Sequence, residues 1–280
     1  MIIKNKIVSI VLISLALLNS CKDGISNNSK FKPSQLIHNE VKKSKMQIEI
    51  WSDVMCPFCY IGKRKFEKAL EQFSNRENIE IVWKSFQLNP DMKTEPHKNS
   101  IIALAEQKGI SIQESNEMHK YVVEMANSVG LKYNMEKTIA ANSFNAHRLT
   151  HFAKSKGLQL EMEEKLFEAY FILGKNIDDK NTLIEIGESI GLNKVELEKT
   201  IYSNDYAANV NNDIYEAQQV GARGVPFFVF DKKYAISGAQ ESSTFLQTLE
   251  KSFTEWKKSN PEKTLKVIDG KVCSPEKDCK

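Results

Sequence analysis

The chain has 280 residues, 41% of them hydrophobic, and a formal net charge of +3, enough material to bury one large core or a core with an insertion. Acidic and basic residues are interspersed, and no basic stripe with interleaved aromatics occurs, which argues against a nucleic-acid partner. The cysteines divide into a single residue, Cys21, and two close pairs, Cys56/Cys59 and Cys273/Cys279.

Lys4 and Lys6 precede an apolar run from Ile7 to Leu18, short for a membrane span and suited to the apolar region of a signal peptide. It closes in Leu17-Leu18-Asn19-Ser20-Cys21, which resembles the lipobox of bacterial lipoproteins, although Asn19 is not the commonest residue in its slot. The alternative is an ordinary signal followed by an incidental cysteine. Acylation of Cys21 would anchor the chain to a membrane and leave an even number of thiols, as expected of an exported protein. Residues 1–20 are therefore read as a lipoprotein signal. Residues 21–45, rich in Ser, Asn and Lys without periodicity, are read as a flexible tether. The expected setting is the cell envelope, where disulfides persist.

Met46 to Trp51 is a predicted strand, followed by Asp53-Val54-Met55-Cys56-Pro57-Phe58-Cys59-Tyr60-Ile61-Gly62 and a helical pattern from about Pro57 to Phe73. A strand, a thiol pair and a helix in that order place Cys56 at a helix N-terminus, whose unpaired N–H groups stabilise a thiolate. Cys56 is the expected exposed nucleophile, and Cys59, one turn further in, is placed to close a disulfide. Pro57 loses nothing at the first helical turn by lacking an N–H. Two cysteines at this spacing could also be half a zinc site, but no His or Cys follows at finger-like distance, so no metal and no cofactor are expected.

Ile79 to Phe86 is a second strand, parallel to the first if the crossover is right-handed, and it stops at Asn89-Pro90-Asp91. From Ser100 to about Gln219 the pattern is helical. A capping signal stands at Ser111/Glu114, another helix opens at Asn142 or Ser143, and glycines at 109, 130, 157, 174, 191 and 221 act as stops. Strand character returns at Val225 to Phe230. A tight turn at Asp231-Lys232-Lys233, a partner strand Tyr234 to Ser237 and a helix from about Ser242 to Lys257 follow. The order β-α-β, helices, β-β-α implies one core domain (46–99 and 221–258) with an all-helical insertion (100–220) and a tail (259–280). Pro226 at the start of a buried strand points to a cis Val225–Pro226 bond, with Gly224 giving the backbone room.

Several segments together resemble the DsbA family of thioredoxin-fold proteins, its FrnE-like branch above all. They are Asp53 to Gly62, Phe86-Gln87-Leu88-Asn89-Pro90, Asn145-Ala146-His147-Arg148-Leu149, Gly224 to Phe228 and Ser237-Gly238-Ala239-Gln240. The resemblance implies an α/β thioredoxin fold whose β-α-β and β-β-α halves are separated by inserted helices, and a thiol-disulfide oxidoreductase or isomerase. Cys56 would attack, Cys59 would resolve, and Val225-Pro226 would form the loop on which a substrate strand pairs. The implied partners are protein or peptide thiols and a further, unidentified redox partner. Strongly oxidising members carry a histidine between their cysteines where this chain has Phe58. The Cys56 thiolate should then be less stabilised, and the disulfide of intermediate potential.

Asp53 is either a proton acceptor for Cys59 or a turn-forming cap. His147 and His151 share one helix face at metal-ligand spacing. With no carboxylate motif between them, both are read as lid or surface histidines, His147 lining the substrate cleft. His38, His97 and His119 show no partner in the sequence. Cys273 and Cys279 form either a structural disulfide or a second redox pair of the kind some FrnE-like proteins carry. Two other functions compete. One is a glutathione-dependent isomerase of small aromatic compounds, a sister branch that generally has serine at the nucleophile position. The other is a lipid-tethered binding protein without chemistry.

Overall fold

A computed structural model describes residues 44–261, so Cys21, the signal and tether, and the Cys273/Cys279 pair lie outside the described residues. The central sheet has the order β2-β1-β5-β6, from β1 (Met46–Ser52), β2 (Ile79–Ser85), β5 (Phe227–Phe230) and β6 (Tyr234–Ser237). β1 and β2 run parallel, joined by helix α1 (Pro57–Gln72), while β5 lies antiparallel to both β1 and β6. This is the β-α-β plus β-β-α closure expected from the order of apolar runs.

Alternation along β1 sends Met46, Ile48 and Ile50 to one face, where they are fully buried. On that face Phe66 of α1, Phe228 of β5 and Phe245 of α9 (Ser242–Ser259) form an aromatic knot. Its ring centroids lie 5.5 Å (Phe66–Phe228), 5.7 Å (Phe66–Phe245) and 4.6 Å (Phe228–Phe245) apart. The opposite face holds a smaller cluster, Trp51, Phe227 and Val229, packed on Ala217 of α8 (Ala207–Gln219).

Between β2 and β5 run α2 (Ser100–Lys108), α3 (Ile112–Ser128), α4 (Phe144–Ser155), α5 (Gln159–Phe167), α6 (Lys180–Ser189), α7 (Lys194–Tyr202) and α8. The expected stops at Gly109, Gly130, Gly157, Gly174, Gly191 and Gly221 all adopt left-handed backbone, and Ser111 and Glu114 form a reciprocal capping box. Ser143 is the N-cap of α4, with Asn142 Oδ1 just before it accepting from Phe144 N at 2.9 Å, and α5 runs on through a π turn, Glu168–Ile172. The segment between β2 and β5 is not wholly helical. β3 (Glu95–Asn99) and β4 (Ile139–Ala140) form a two-stranded ladder, which the polar sequence Glu-Pro-His-Lys-Asn does not signal. Arg148 is 3% exposed, and its hydrogen bonds go to carbonyl oxygens. Its guanidinium donates to the carbonyls of Thr200 (2.5 Å), Ser203 (2.6 Å) and Asp205 (2.8 Å), helping to satisfy the C-terminal end of α7 and the turn after it. Among the described residues no helix is long and apolar enough to cross a membrane.

Candidate active site

β1 ends at Ser52, and Asp53-Val54-Met55 turns the chain into α1 with Cys56 as the N-cap in extended backbone and Pro57 at the first helical positions. Cys56 N donates to Asp53 O at 2.9 Å, and Cys59 N donates to Cys56 O at 3.0 Å. The Asp53 carboxylate fixes this turn from below, its Oδ1 accepting from Met55 N at 3.2 Å and its Oδ2 from Leu88 N at 2.8 Å. The thiol-bearing loop and the loop after β2 are thereby tied together.

Opposite the thiols stands the loop before β5, in which the Val225–Pro226 bond is cis. Cys56 Sγ donates to Val225 O at 3.5 Å, and Pro226 O accepts from Gly238 N at 2.8 Å. α1 approaches the loop closely: a Cβ on Gly62 would stand 3.0 Å from Pro226 Cγ. Cys56 is less open than its expected role suggests, with 3% of its surface exposed, because the proline loop lies across it. Met55, Phe58 and Val225, all half-buried, pack against the same core, and Leu88 in the loop after β2 is largely exposed. Both cysteines are free thiols, and Cys59 is wholly buried. Burial first, then the hydrogen bond and charge of Cys56, raise the Cys59 pKa well above the ordinary thiol value, while Ser52 and the Asp53 backbone pull the other way.

The insertion contributes a side chain that the sequence did not single out. Tyr133, in the segment between α3 and β4, donates from its hydroxyl to Pro57 O at 2.8 Å and stacks on Tyr60 and Phe171. Burial, and then the neighbouring thiols and Tyr60, keep this phenol protonated. Nothing in its local sequence marks it, since its role arises only when the insertion folds back over α1.

His147 and His151 are neither surface residues nor cleft lining, contrary to expectation. They are 1% and 7% exposed and point from α4 to the ends of β1 and β2. His151 Nε2 lies 2.9 Å from Asp213 Oδ2 and 3.2 Å from Ser85 Oγ, so both partners share one ring nitrogen. That excludes the relay through opposite ring nitrogens that activates a serine nucleophile. His147 Nε2 lies 3.5 Å from Asp53 Oδ1, at the outer limit of a hydrogen bond. Its pKa is opposed by burial yet raised on balance by Asp53 and then by Glu163. His119 also has partners, Ser115 O at 2.7 Å and Ser100 Oγ at 3.3 Å.

Two successive glutamates of α5 behave differently. Glu164 meets Arg64, Lys63 (2.6 Å) and the Tyr60 hydroxyl (2.6 Å), and despite its burial these partners, Arg64 foremost, hold it down at about 2. Glu163 faces inward, 2% exposed, with Oε2 lacking any hydrogen-bond partner, and burial pushes it up to about 7 against the pull of His147. Among the described residues no group of three or more His, Cys, Asp or Glu converges as metal ligands.

A four-stranded sheet that sets a two-cysteine helix start against a cis-proline loop defines the thioredoxin-like class. Residues 47–250 match the model of the DSBA-like thioredoxin domain, and the chain belongs to that family. It is 28% identical over 216 residues to the uncharacterized Bacillus subtilis protein YwbO, covering 71% of this chain and 94% of that one. A crystal structure from Streptomyces coelicolor, described as a probable DsbA oxidoreductase, is 33% identical with a TM-score of 0.71, covering 82% of this chain and 97% of that one. The cytosolic disulfide reductase DsbM of Pseudomonas aeruginosa shares the fold at 14% identity and a TM-score of 0.54, over 75% of this chain and 99% of its own.

Two outcomes are expected from this geometry. Gly62→Ala gains helix propensity of about 1 kcal/mol but presses on the Pro226 ring. Urea melts should therefore change little, while thiol-disulfide exchange falls severalfold. Glu163 has its folded-state pKa, about 7, above the ordinary 4.5, so the folded state binds the extra proton between these values and stability falls as pH rises through that window. At full ionisation the cost is on the order of 3 kcal/mol. Glu163→Gln should leave stability in acid unchanged and raise it above pH 7, as read by urea unfolding across pH.

Proposed function

We propose that the protein is a thiol-disulfide oxidoreductase acting on protein or peptide thiols through Cys56 and Cys59, anchored in the cell envelope by a lipid on Cys21. The observation that carries the chemistry is the placement of Cys56 at the head of α1, its Sγ 3.5 Å from the carbonyl of Val225 beside a cis-proline. A thiolate formed there is stabilised by the first N–H groups of α1 and attacks a substrate disulfide. One substrate sulfur leaves as a thiolate, and the other stays bonded to Cys56. Cys59 then loses its proton and attacks Cys56 Sγ, closing the internal disulfide and releasing the second substrate sulfur. The same steps reversed oxidise a substrate dithiol. The Val225 backbone, outside the β5 ladder, supplies the pairing groups for an extended substrate segment.

Cys59, buried one turn behind Cys56, is the resolving thiol that this cycle needs and that an isomerase of small aromatic compounds does not. With Phe58 between the cysteines, no imidazole reinforces the Cys56 thiolate, so the disulfide is of intermediate potential and net reduction or isomerisation is as accessible as oxidation. The lipobox-like Leu17 to Cys21 supports the envelope setting.

Insulin reduction tests the reaction directly: the wild type should precipitate insulin chains well above background, and Cys56→Ser and Cys59→Ser should not. A wild type no faster than these variants would overturn the enzymatic reading. In glutathione redox buffers, Phe58→His should shift the equilibrium toward the reduced protein by about tenfold or more, the size of one added charge-assisted hydrogen bond.

A further inference from the structure

The first turn of α1 has few donors to offer a thiolate. Cys56 is the N-cap, and an N-cap side chain accepts from the N–H of the second or third helical residue. Pro57, the first helical residue, has no N–H, and Cys59 N, the third, is spent on Cys56 O at 3.0 Å. Phe58 N–H is therefore the first-turn donor left for Cys56 Sγ. The thiol does not use it: the Cys56 side chain accepts no capping hydrogen bond and instead donates to Val225 O at 3.5 Å. Ionisation reverses that role, because a thiolate has no proton to donate and can only accept.

Phe58 N–H belongs to the same peptide group as the Pro57 carbonyl, and that carbonyl accepts from the Tyr133 hydroxyl at 2.8 Å. Hydrogen bonds in a chain polarise one another, so a donor on the oxygen of a peptide group makes its N–H a stronger donor. The phenol is held in place from the insertion. Its ring stacks on Phe171 with centroids 4.6 Å apart, and the next residue, Asn134, donates its N–H to Phe171 O at 2.7 Å. Phe171 lies in the π turn Glu168–Ile172, whose Tyr170 donates to Ile139 O at 2.8 Å. π turns are rare and concentrate at functional sites. This one fixes the Tyr133 segment at both of its ends.

We infer that Tyr133 is a positioning residue of the exchange site, its hydroxyl acting through the Pro57–Phe58 peptide to strengthen the hydrogen bond that the Cys56 thiolate receives. It touches no substrate. The inference rests on the exchange function proposed above and adds a determinant of that site's redox balance. The other titratable groups around Cys56 have partners of their own. The Asp53 carboxylate is turned to Met55 N and Leu88 N, the Tyr60 hydroxyl donates to Glu164 at 2.6 Å, and Arg64 pairs with Glu164 and Glu67. Cys59 is kept as a thiol chiefly by its burial. Tyr133 is also kept protonated, burial foremost, so its hydroxyl stays a donor while Cys56 ionises.

The test reads the thiol directly. Reduced full-length protein is alkylated with iodoacetamide across pH, and the peptide carrying Cys56 is quantified by mass spectrometry. The midpoint of the rate profile reports ionisation of Cys56, and its plateau reports access to the sulfur. Tyr133→Phe keeps the ring and removes the hydroxyl. Its midpoint should rise, leaving about two- to threefold less thiolate below the midpoint, with the plateau unchanged. In glutathione buffers its equilibrium should shift toward the disulfide by up to the same factor, because the reduced form loses support. A fluorinated tyrosine at position 133, a stronger donor of similar shape, should move both readings the other way. A midpoint and an equilibrium unmoved in Tyr133→Phe would overturn the inference. So would a change confined to the plateau, which is what a purely structural tie would give. Should Tyr133→Phe fail to fold, the fluorotyrosine protein decides, and a midpoint that stays or rises there counts against the inference. Failure of the exchange reading itself looks different: the wild-type Cys56 would then titrate at the ordinary thiol value of about 8.5.

Discussion

A wholly buried second thiol is the constraint on which the rest of this molecule depends. Burying Cys59 behind Cys56 lets the two sulfurs meet without exposing a disulfide to indiscriminate attack, but it also removes the water that would otherwise carry the proton. The interior therefore has to supply polar groups beneath α1. The ends of β1 and β2 are where strand backbone no longer occupies that space. Asp53, just past the end of β1, and Ser85, the last residue of β2, each meet a histidine of α4.

The insertion is thus part of the site's floor and of its wall. α5 supplies Glu163 to the floor, α4 supplies His147, and the segment after α3 brings Tyr133 across to the Pro57 carbonyl at 2.8 Å. The stacked rings of Tyr60, Tyr133, Phe167 and Phe171 seal the contact between α1 and these helices, with centroid distances of 4.6 to 6.0 Å for Tyr133–Phe171, Tyr60–Phe167 and Tyr60–Tyr133. Offset aromatic pairs of this kind add about 0.5–1.5 kcal/mol each beyond area burial. A loosened insertion would therefore release the Tyr133 hydroxyl from the Pro57 carbonyl and shift the first turn of α1.

Much of this was legible in the sequence where one local rule governs. The cysteine pair with Pro57, the alternating run of β1, the continuous apolar run of β5, the capping box at Ser111 and the glycine stops are each fixed by chemistry within a few residues. The cis bond before Pro226 belongs to the same group, since a proline at the mouth of a buried strand leaves few alternatives. What stayed hidden depends on long-range closure. His147, His151 and Tyr133 acquire their partners only when segments far apart in sequence come to rest on the sheet ends, and a histidine on a helix face looks the same whether it meets solvent or a buried aspartate. β3 was invisible for a related reason, being a polar ladder at the surface with no apolar alternation to announce it.

The two histidines of α4 show how structural and chemical roles separate within one helix turn. His151 has short contacts to Asp213 and Ser85, and Asp213 also accepts from Ser85 N at 2.9 Å and pairs with Lys84 at 3.1 Å. Every charge in that set is answered, and moving a proton would break several contacts at once. His147 Nε2 has only the long contact to Asp53, while the ring also meets the Phe86 backbone, and its other acidic neighbour, Glu163, has an oxygen without a partner. A saturated network resists changes of protonation because each bond stabilises one ionisation state; an unsaturated one costs stability but leaves its proton free to move. The unsaturated histidine lies beside Asp53, whose backbone meets the buried thiol, whereas the saturated set lies at the end of β2.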